Sequence, residues 1–455
     1  MSSSTIFPPS NLAIERQGTS RALLERIDRE EQITHWPELS PLVHWRGNKD
    51  LPIHRWYKYR EGYSPALIDA LQLGKKILDP FSGSGSIMVG AAELGLESTG
   101  IDVNPLATFI TRVKLTPLTK GQLREAESFA DQMMDLGPGT PTWAMPELSI
   151  AANLFEPTIL TAMLQIRSRI SAYEADPELH DFLLLAWIAV LETVGSYFKE
   201  GNGIKYRKKK RARNEYKDHV DGEWQLKRFG RDQRGFALTE FVKHLKTMVR
   251  DGHHVWTGRP WKRQEVHTGS AIRVMPSLPD GAFDSVVFSP PYANRFDYFE
   301  SMKVELWFGG FVNSYEEMGA LRKSSMRSHL GADLAQATTP LPILDELIDA
   351  MDTDSYAVRM RVPALLRGYF EDIRHVLAES RRVTRFGGRT YVVVGNSAYA
   401  GVIVPTDALV AQVGRLVGFP NAKVHIVRSL TVAPQQRSRL AGSEQFMRES
   451  VVELW

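Results

Sequence analysis

Between residues 77 and 102 the chain reads ILDPFSGSGSIMVGAAELGLESTGID. A short apolar run leads to Asp79, a glycine-rich turn follows, an apolar helical stretch over 86–94 closes at Gly95, and a second strand over 98–102 ends in Asp102. Strand, tight turn, helix and strand make a βαβ unit, which requires a parallel sheet covered by helices. Gly83 and Gly85 lack side chains, so the backbone can turn sharply and come close to a ligand. The helix beyond points the positive end of its dipole at whatever occupies the turn. Asp102, at the end of the second strand, stands where a carboxylate accepts hydrogen bonds from ribose hydroxyls.

The turn is Asp79-Pro80-Phe81-Ser82-Gly83-Ser84-Gly85. A phosphate-cradling loop needs Gly-Lys-Ser/Thr, and no lysine is present. A dinucleotide fingerprint needs GxGxxG, but after Gly85 the next glycine is Gly90. The shorter FxGxG form suits S-adenosyl-L-methionine, whose methionine carboxylate needs only a backbone cradle. A ligand-free turn is the plainer alternative. Asp102 and a second motif, Ser289-Pro290-Pro291-Tyr292, argue against it.

That second motif follows an apolar strand over 283–288 and precedes an aromatic loop, ANRFDY. Two prolines stiffen the backbone and remove donors, leaving carbonyls free to face a pocket. An exocyclic amine on a nucleic-acid base is a poor nucleophile, because its lone pair is delocalised into the ring. The Ser289 hydroxyl and the Pro290 carbonyl can accept its two hydrogens and aim the lone pair at an incoming methyl group. Tyr292 can stack on a base that has left the duplex. The chain contains no cysteine, so attack on a pyrimidine ring by a thiolate is excluded, as are disulfides and thiolate metal sites.

These residues resemble those of the DNA amino-methyltransferases. DPFSGSG…GIDVNP is similar to their cofactor motif and SPPY to their catalytic motif. HRWYKYREGYS resembles the N-terminal segment that flanks the cofactor, and FEDIRHVLAESRRVTRFGG and VVVGNS resemble later core segments. The resemblance implies a site-specific enzyme that flips a base and transfers methyl directly from S-adenosyl-L-methionine. It implies Asp79–Gly85, Asp102, Val103, Ser270 and Ser64 as cofactor residues, and Ser289–Tyr292 as catalytic residues. Ser-Pro-Pro-Tyr is typical of the cytosine-N4 type, and Asp/Asn-Pro-Pro-Tyr of the adenine-N6 type. Gly269-Ser270 stands where the family often has an acid. Adenine-N6 transfer, RNA guanine-N2 transfer and a non-catalytic DNA-binding role are the alternatives. The partners implied are double-stranded DNA and, as a candidate, a restriction or defence nuclease, in a cytoplasmic, nucleoid-associated setting.

The 455 residues allow two or three domains. Residues 1–115 are expected to hold an N-terminal arm, helical over 11–32, and the cofactor half of the catalytic domain. Residues 116–262 break the strand–helix alternation. Helical periodicity over 157–170, 179–198 and 238–250 marks them as a helical insertion. Residues 263–455 resume the alternation as the catalytic half, with an irregular polar loop region at 313–362 that holds helical pieces such as 344–351. There 368–385 reads as a helix stopped by Gly387-Gly388. Seven strands result, predicting an α/β, Rossmann-like methyltransferase sheet with a mainly helical insertion.

The formal charge of +3 is less informative than its distribution: 205–234 hold twelve Lys/Arg against five Asp/Glu. Lys205, Arg207, Lys208, Lys209, Lys210, Arg211 and Arg213 form the densest run, suited to phosphate contacts that position a duplex without reading it. Arg322, Lys323 and Arg327, after the catalytic turn, are expected to contact DNA from a loop over the flipped base, or else to be a solvated connection. His253, His254 and His267 fit no metal spacing. Trp143, Trp187 and Trp256 are expected in the core. The longest apolar run, 182–191, is too short to span a bilayer.

Overall fold

The computed structural model describes residues 11–60, 62–200, 203–207, 218–256, 261–334, 337–351, 361–432, 437–440 and 442–455, with backbone only for 11–19 and 218–223. Its strands are, in order, β1 Ile33–His35, β2 Lys76–Asp79, β3 Glu97–Asp102, β4 Tyr197–Glu200, β5 Gly203–Tyr206, β6 Gln264–Thr268, β7 Phe283–Phe288, β8 Thr384–Gly395, β9 Ser397–Tyr399, β10 Val402–Val404, β11 Ala422–Ser429 and β12 Arg448–Leu454. Eight of them form one sheet in the order β1-β11-β12-β8-β7-β2-β3-β6. Among these described strands only β12 runs antiparallel to its neighbours; the remaining pairs are parallel.

All seven expected strands are in this sheet. The eighth, β1, lies in the N-terminal arm just beyond the stretch expected to be helical, where the sequence predicts no strand. The helix Asn11–Glu30 does form, but the chain then extends. Val424 N donates to Gln32 O and Trp36 N to Ile426 O, which adds a three-residue edge strand.

Alternate residues of the central strands go to opposite faces, as a pleated strand requires. Leu78, Val286, Phe288, Val392, Val394 and Val452 join one core with the helix Val362–Val383. Ile77, Val287, Val393 and Val451 join another, with Ile87 and Ala91 of the helix Ser86–Glu93. A sheet buried on both faces needs strands as apolar as these.

The helices Lys120–Met134, Pro157–Ile170, Pro177–Val194 and Gln233–Val255 share a third core with the helix Pro105–Leu115. Trp187 and Trp256 are buried there, and Trp143 is partly buried against it. Buried Asp251 ties this layer to the chain before β2 by accepting from Ile53 N, Trp56 Nε1 and Arg55. The antiparallel pair β4–β5 interrupts the helices.

One expectation needs correction. Gly387-Gly388 stops no helix: the helix ends at Val383 and both glycines lie inside β8. A Cβ on Gly388 would sit 2.4 Å from Asp284 O, so the register irregularity where β8 pairs with its parallel neighbour β7 is what requires glycine there. In the polar segment 313–362 the helical piece expected at 344–351 forms as Pro342–Asp349, and Tyr315–Ser324 is a further helix with Ser314 Oγ accepting from Glu317 N as its N-cap. Among the described residues no helix is long and apolar enough to cross a membrane.

From β2 the chain moves outward through β3 and β6, then returns to the other side of β2 as β7. Strand order reverses between β2 and β7, and in sheets of this kind the crevice beyond the carboxyl ends at the reversal receives ligands. The turn after β2 carries the glycines and the turn after β7 carries SPPY.

Candidate active site

The turn after β2 is held from behind. Ser82 N donates to Ile101 O at 2.9 Å and Gly85 N to Ser82 O at 2.8 Å, folding the turn against β3. Gly83 and Gly85 have φ of +51° and +77°. The helix Pro105–Leu115 then takes the turn's carbonyls: Thr111 Oγ1 donates to Gly83 O and Lys114 Nζ to Ser84 O, both at 3.0 Å. These two side chains, three residues apart, share a helix face. Lys114 is 1% exposed, and burial pushes its ammonium down to about 7.

Asp102 closes the other side. Its Oδ2 accepts from Gly83 N at 2.9 Å and its Oδ1 from Asn104 N at 2.8 Å, while burial raises its pKa to about 6. Asp79 lies deeper, 2% exposed, accepting from Tyr63 Oη and from Phe81 N. Burial, which outweighs those bonds, raises Asp79 to about 7.

Both motifs open onto one cavity of about 320 Å³. Phe81, Ser82, Gly83, Asp102 and Val103 line it from the cofactor side, and Ser289, Pro290, Pro291 and Tyr292 from the other. The rings of Phe81 and Phe288 pack 5.5 Å apart and join the two turns. Ser82 Oγ and Ser84 Oγ are buried without a hydrogen-bond partner among the described residues. Asp79, Pro80, Ser84 and Gly85 support the turn from outside the lining. Ser64 and Ser270 also lie outside it. Ser64 Oγ accepts from Ala66 N ahead of the helix Leu67–Ala70, and Ser270 precedes the short helix Ala271–Val274.

The rest of the lining has no signal in the two motifs. Tyr59, Arg60, Gly62 and Tyr63 come from the segment before β2 that resembles a cofactor-flanking motif. His44, Arg428 and Glu449 come from distant chain segments that share no pattern.

Residues 325–329 form the wall facing SPPY, where Ser325, Met326, Ser328 and His329 reach the cavity. His329 is 2% exposed. Gly331 N donates to its Nδ1 at 3.1 Å, so Nε2 carries the proton and donates to Ser325 Oγ, 2.9 Å away; Ser325 in turn donates to Arg322 O. Burial lowers the pKa of this histidine.

Several residues expected to meet DNA are already engaged. Arg322 pairs with Asp297, and Arg327 makes 3.0 and 2.6 Å bonds to Asp372 Oδ1. Arg207 donates to Tyr197 O and Glu192 O, and Lys205 pairs with Glu200. Lys323 is exposed on the surface. Lys208, Lys209, Lys210, Arg211 and Arg213 lie outside the described residues. Among the described residues no cluster of three His, Cys, Asp or Glu is arranged to hold a metal ion.

No protein-family model matches the chain. It is 24% identical over 453 residues to the Type II methyltransferase M.BsoBI of Geobacillus stearothermophilus, covering 89% of this chain and 87% of that one. It is 22% identical over 434 residues to the Type II methyltransferase M.AvaI of Anabaena variabilis, covering 89% and 86%. It is also 22% identical over 357 residues to the Type II methyltransferase M.MvaI of Kocuria varians, covering 74% of each chain. A chain with two facing turns at the reversal of a parallel sheet is thus similar, over most of its length, to Type II methyltransferases.

Proposed function

We propose that this protein transfers a methyl group from S-adenosyl-L-methionine to the N4 amine of a cytosine flipped out of double-stranded DNA. The observation that carries the reading is the shared cavity: the glycine turn and the SPPY turn face each other across it. Similarity to Type II methyltransferases along most of the chain supports the reaction class. The choice of cytosine rests on Ser289, where asparagine or aspartate typifies the adenine enzymes that the chain also resembles.

The residues fit the cofactor. The unpartnered hydroxyl of Ser82, the turn at Gly83 and the carboxylate of Asp102 offer a donor, a backbone cradle and a hydroxyl acceptor side by side. Tyr59, Gly62 and Tyr63 wall the same side. When bound, the cofactor supplies an electrophilic methyl on a sulfonium.

On the other side, Ser289 Oγ and Pro290 O accept the hydrogens of the amine and orient its lone pair. With the methyl supplied by the bound cofactor, the amine nitrogen would gain it and lose one hydrogen, which the Ser289 hydroxyl would relay as a proton to water. Tyr292 stacks on the base, and the wall at 325–329 closes over it. Fixing both reactants in line is the main source of rate.

We assign sequence reading and backbone contact to the helical residues 116–262. Arg60, which lines the cavity, donates to Lys199 O of β4 at 2.9 Å, and in the sequence the basic run 205–213 begins within β5. Arg322 and Arg327 pair with Asp297 and Asp372, so a phosphate contact from either would compete with a carboxylate.

The test is transfer of labelled methyl from S-adenosyl-L-methionine to unmethylated plasmid DNA, with Tyr292→Ala alongside. We expect incorporation by the wild type, and in the variant loss of incorporation with retained cofactor affinity. Full activity of the variant would remove Tyr292 from the pocket.

A further inference from the structure

We propose that Glu449 and Arg428 are positioning residues for the reaction, acting together to hold the ring of Tyr292 as a fixed stacking platform. The inference rests on the functional reading above. Tyr292 Oη donates to Glu449 Oε1 at 2.7 Å, and Arg428 Nε donates to Glu449 Oε2 at 2.5 Å. Each oxygen of the carboxylate therefore has its own partner, and the arginine neutralises it. Glu449 is 3% exposed.

Sheet geometry creates the triad. Glu449 sits on β12 opposite Gly395 of β8 and opposite Arg428 of β11, where the β11–β12 register shifts. Tyr292 arrives from the end of β7. All three side chains line the cavity. Gly395 makes room for the ring: a Cβ there would lie 2.8 and 3.1 Å from its Cε2 and Cδ2 atoms. The ring is thus held by two prolines at its backbone, by a glycine behind it and by a charged clamp at its hydroxyl.

A buried carboxylate is expensive to desolvate, and an apolar residue there would stabilise the sheet as well or better. The clamp makes sense as preorganisation. A platform already fixed loses no rotamer freedom when the base arrives, and the advantage appears in the rate of the bound complex. Arg428 and Glu449 themselves touch no reacting atom.

The experiment uses the full chain, labelled S-adenosyl-L-methionine and plasmid DNA. The variants are Tyr292→Phe, Glu449→Ala, Glu449→Gln and the Tyr292→Phe/Glu449→Ala double. We expect Tyr292→Phe and Glu449→Ala each to lower kcat by about tenfold, the loss of one charge-assisted hydrogen bond. We expect KM for DNA and the calorimetric Kd for S-adenosyl-L-methionine to change by less than about twofold, since both ligands keep the groups that bind them. Glu449→Gln should recover most of the rate, because its amide oxygen still accepts from the phenol. The double variant should be no slower than the slower single.

Multiplied losses in the double variant would overturn the proposal, as would equal losses for Gln and Ala or a fall in cofactor affinity matching the fall in rate. An active wild type with unaffected variants overturns this inference alone. A wild type that methylates no DNA overturns the functional reading beneath it.

Discussion

Replacing Gly85 by alanine perturbs the cofactor turn at one defined point. The residue has φ of +77°, and its new Cβ would lie 2.6 Å from Thr111 Cγ2 and 2.9 Å from Thr111 Oγ1. The left-handed backbone costs an L-residue about 1–2 kcal/mol. Overpacking against Thr111 adds about 1–3 kcal/mol. The expected loss is therefore about 2–5 kcal/mol, a large share of a typical stability of about 5–15 kcal/mol. Urea unfolding should show a lower midpoint at unchanged slope. Because the three nearest atoms all belong to Thr111 and the two closest are removed by alanine, Thr111→Ala should relieve most of the clash. Alone, that change removes the hydroxyl's bonds to Gly83 O and Ala107 O, costing about 0.5–1.5 kcal/mol. Combined, the two losses should fall short of their sum by about 1–3 kcal/mol. Additivity within about 0.5 kcal/mol would refute the claim that helix Pro105–Leu115 buttresses the turn.

Three further outcomes are expected. Asp79, raised to about 7, and Asp102, raised to about 6, hold protons in the folded state that the unfolded chain has released, so their contribution to stability is lost as pH rises from about 4 to about 7. Lys114, lowered to about 7, acts in the opposite sense above that pH, so chemical unfolding across pH should show a shallow minimum near 7. Asp79→Asn should flatten its acid side and Lys114→Met its alkaline side. Arg448→Ala should cost about 3–5 kcal/mol by thermal unfolding, because it strands Asp407, which is 0% exposed, and Asp28 of the N-terminal helix. Neutralising Lys208, Lys209, Lys210 and Arg211 should flatten the dependence of DNA affinity on salt, by about 0.9 in log–log slope for each phosphate no longer neutralised; an unchanged slope would make the run a bystander.

The sheet was legible because its strands are apolar on both faces and its turns carry glycine, proline or acid. β1 was not, because three residues with one hydrogen-bonded edge leave no periodicity. The glycine pair at 387–388 misled for a physical reason: a helix C-terminus and an irregular, close pairing of two strands both select glycine, and only the neighbour at Asp284 distinguishes them. The two turns were legible because local backbone chemistry defines them. Their supports were not. Glu449 is 157 residues from Tyr292, and the sheet order alone brings them together. Thr111 and Lys114 are visible as one helix face, but nothing local says that a lysine there is buried under a turn. The carboxylate partners of Arg322 and Arg327, Asp297 and Asp372, were not legible either, because each lies 25 or more residues away in the chain.

The most direct measurement is the identity of the methylated base. The purified protein is incubated with unmethylated plasmid DNA and S-adenosyl-L-methionine, the DNA is digested to nucleosides, and the products are resolved by mass spectrometry. The predicted product is N4-methyldeoxycytidine, absent without the cofactor and absent with Tyr292→Ala. N6-methyldeoxyadenosine in its place would contradict the assignment of the base to Ser289-Pro290-Pro291-Tyr292, and the absence of both would contradict the assignment of the reaction.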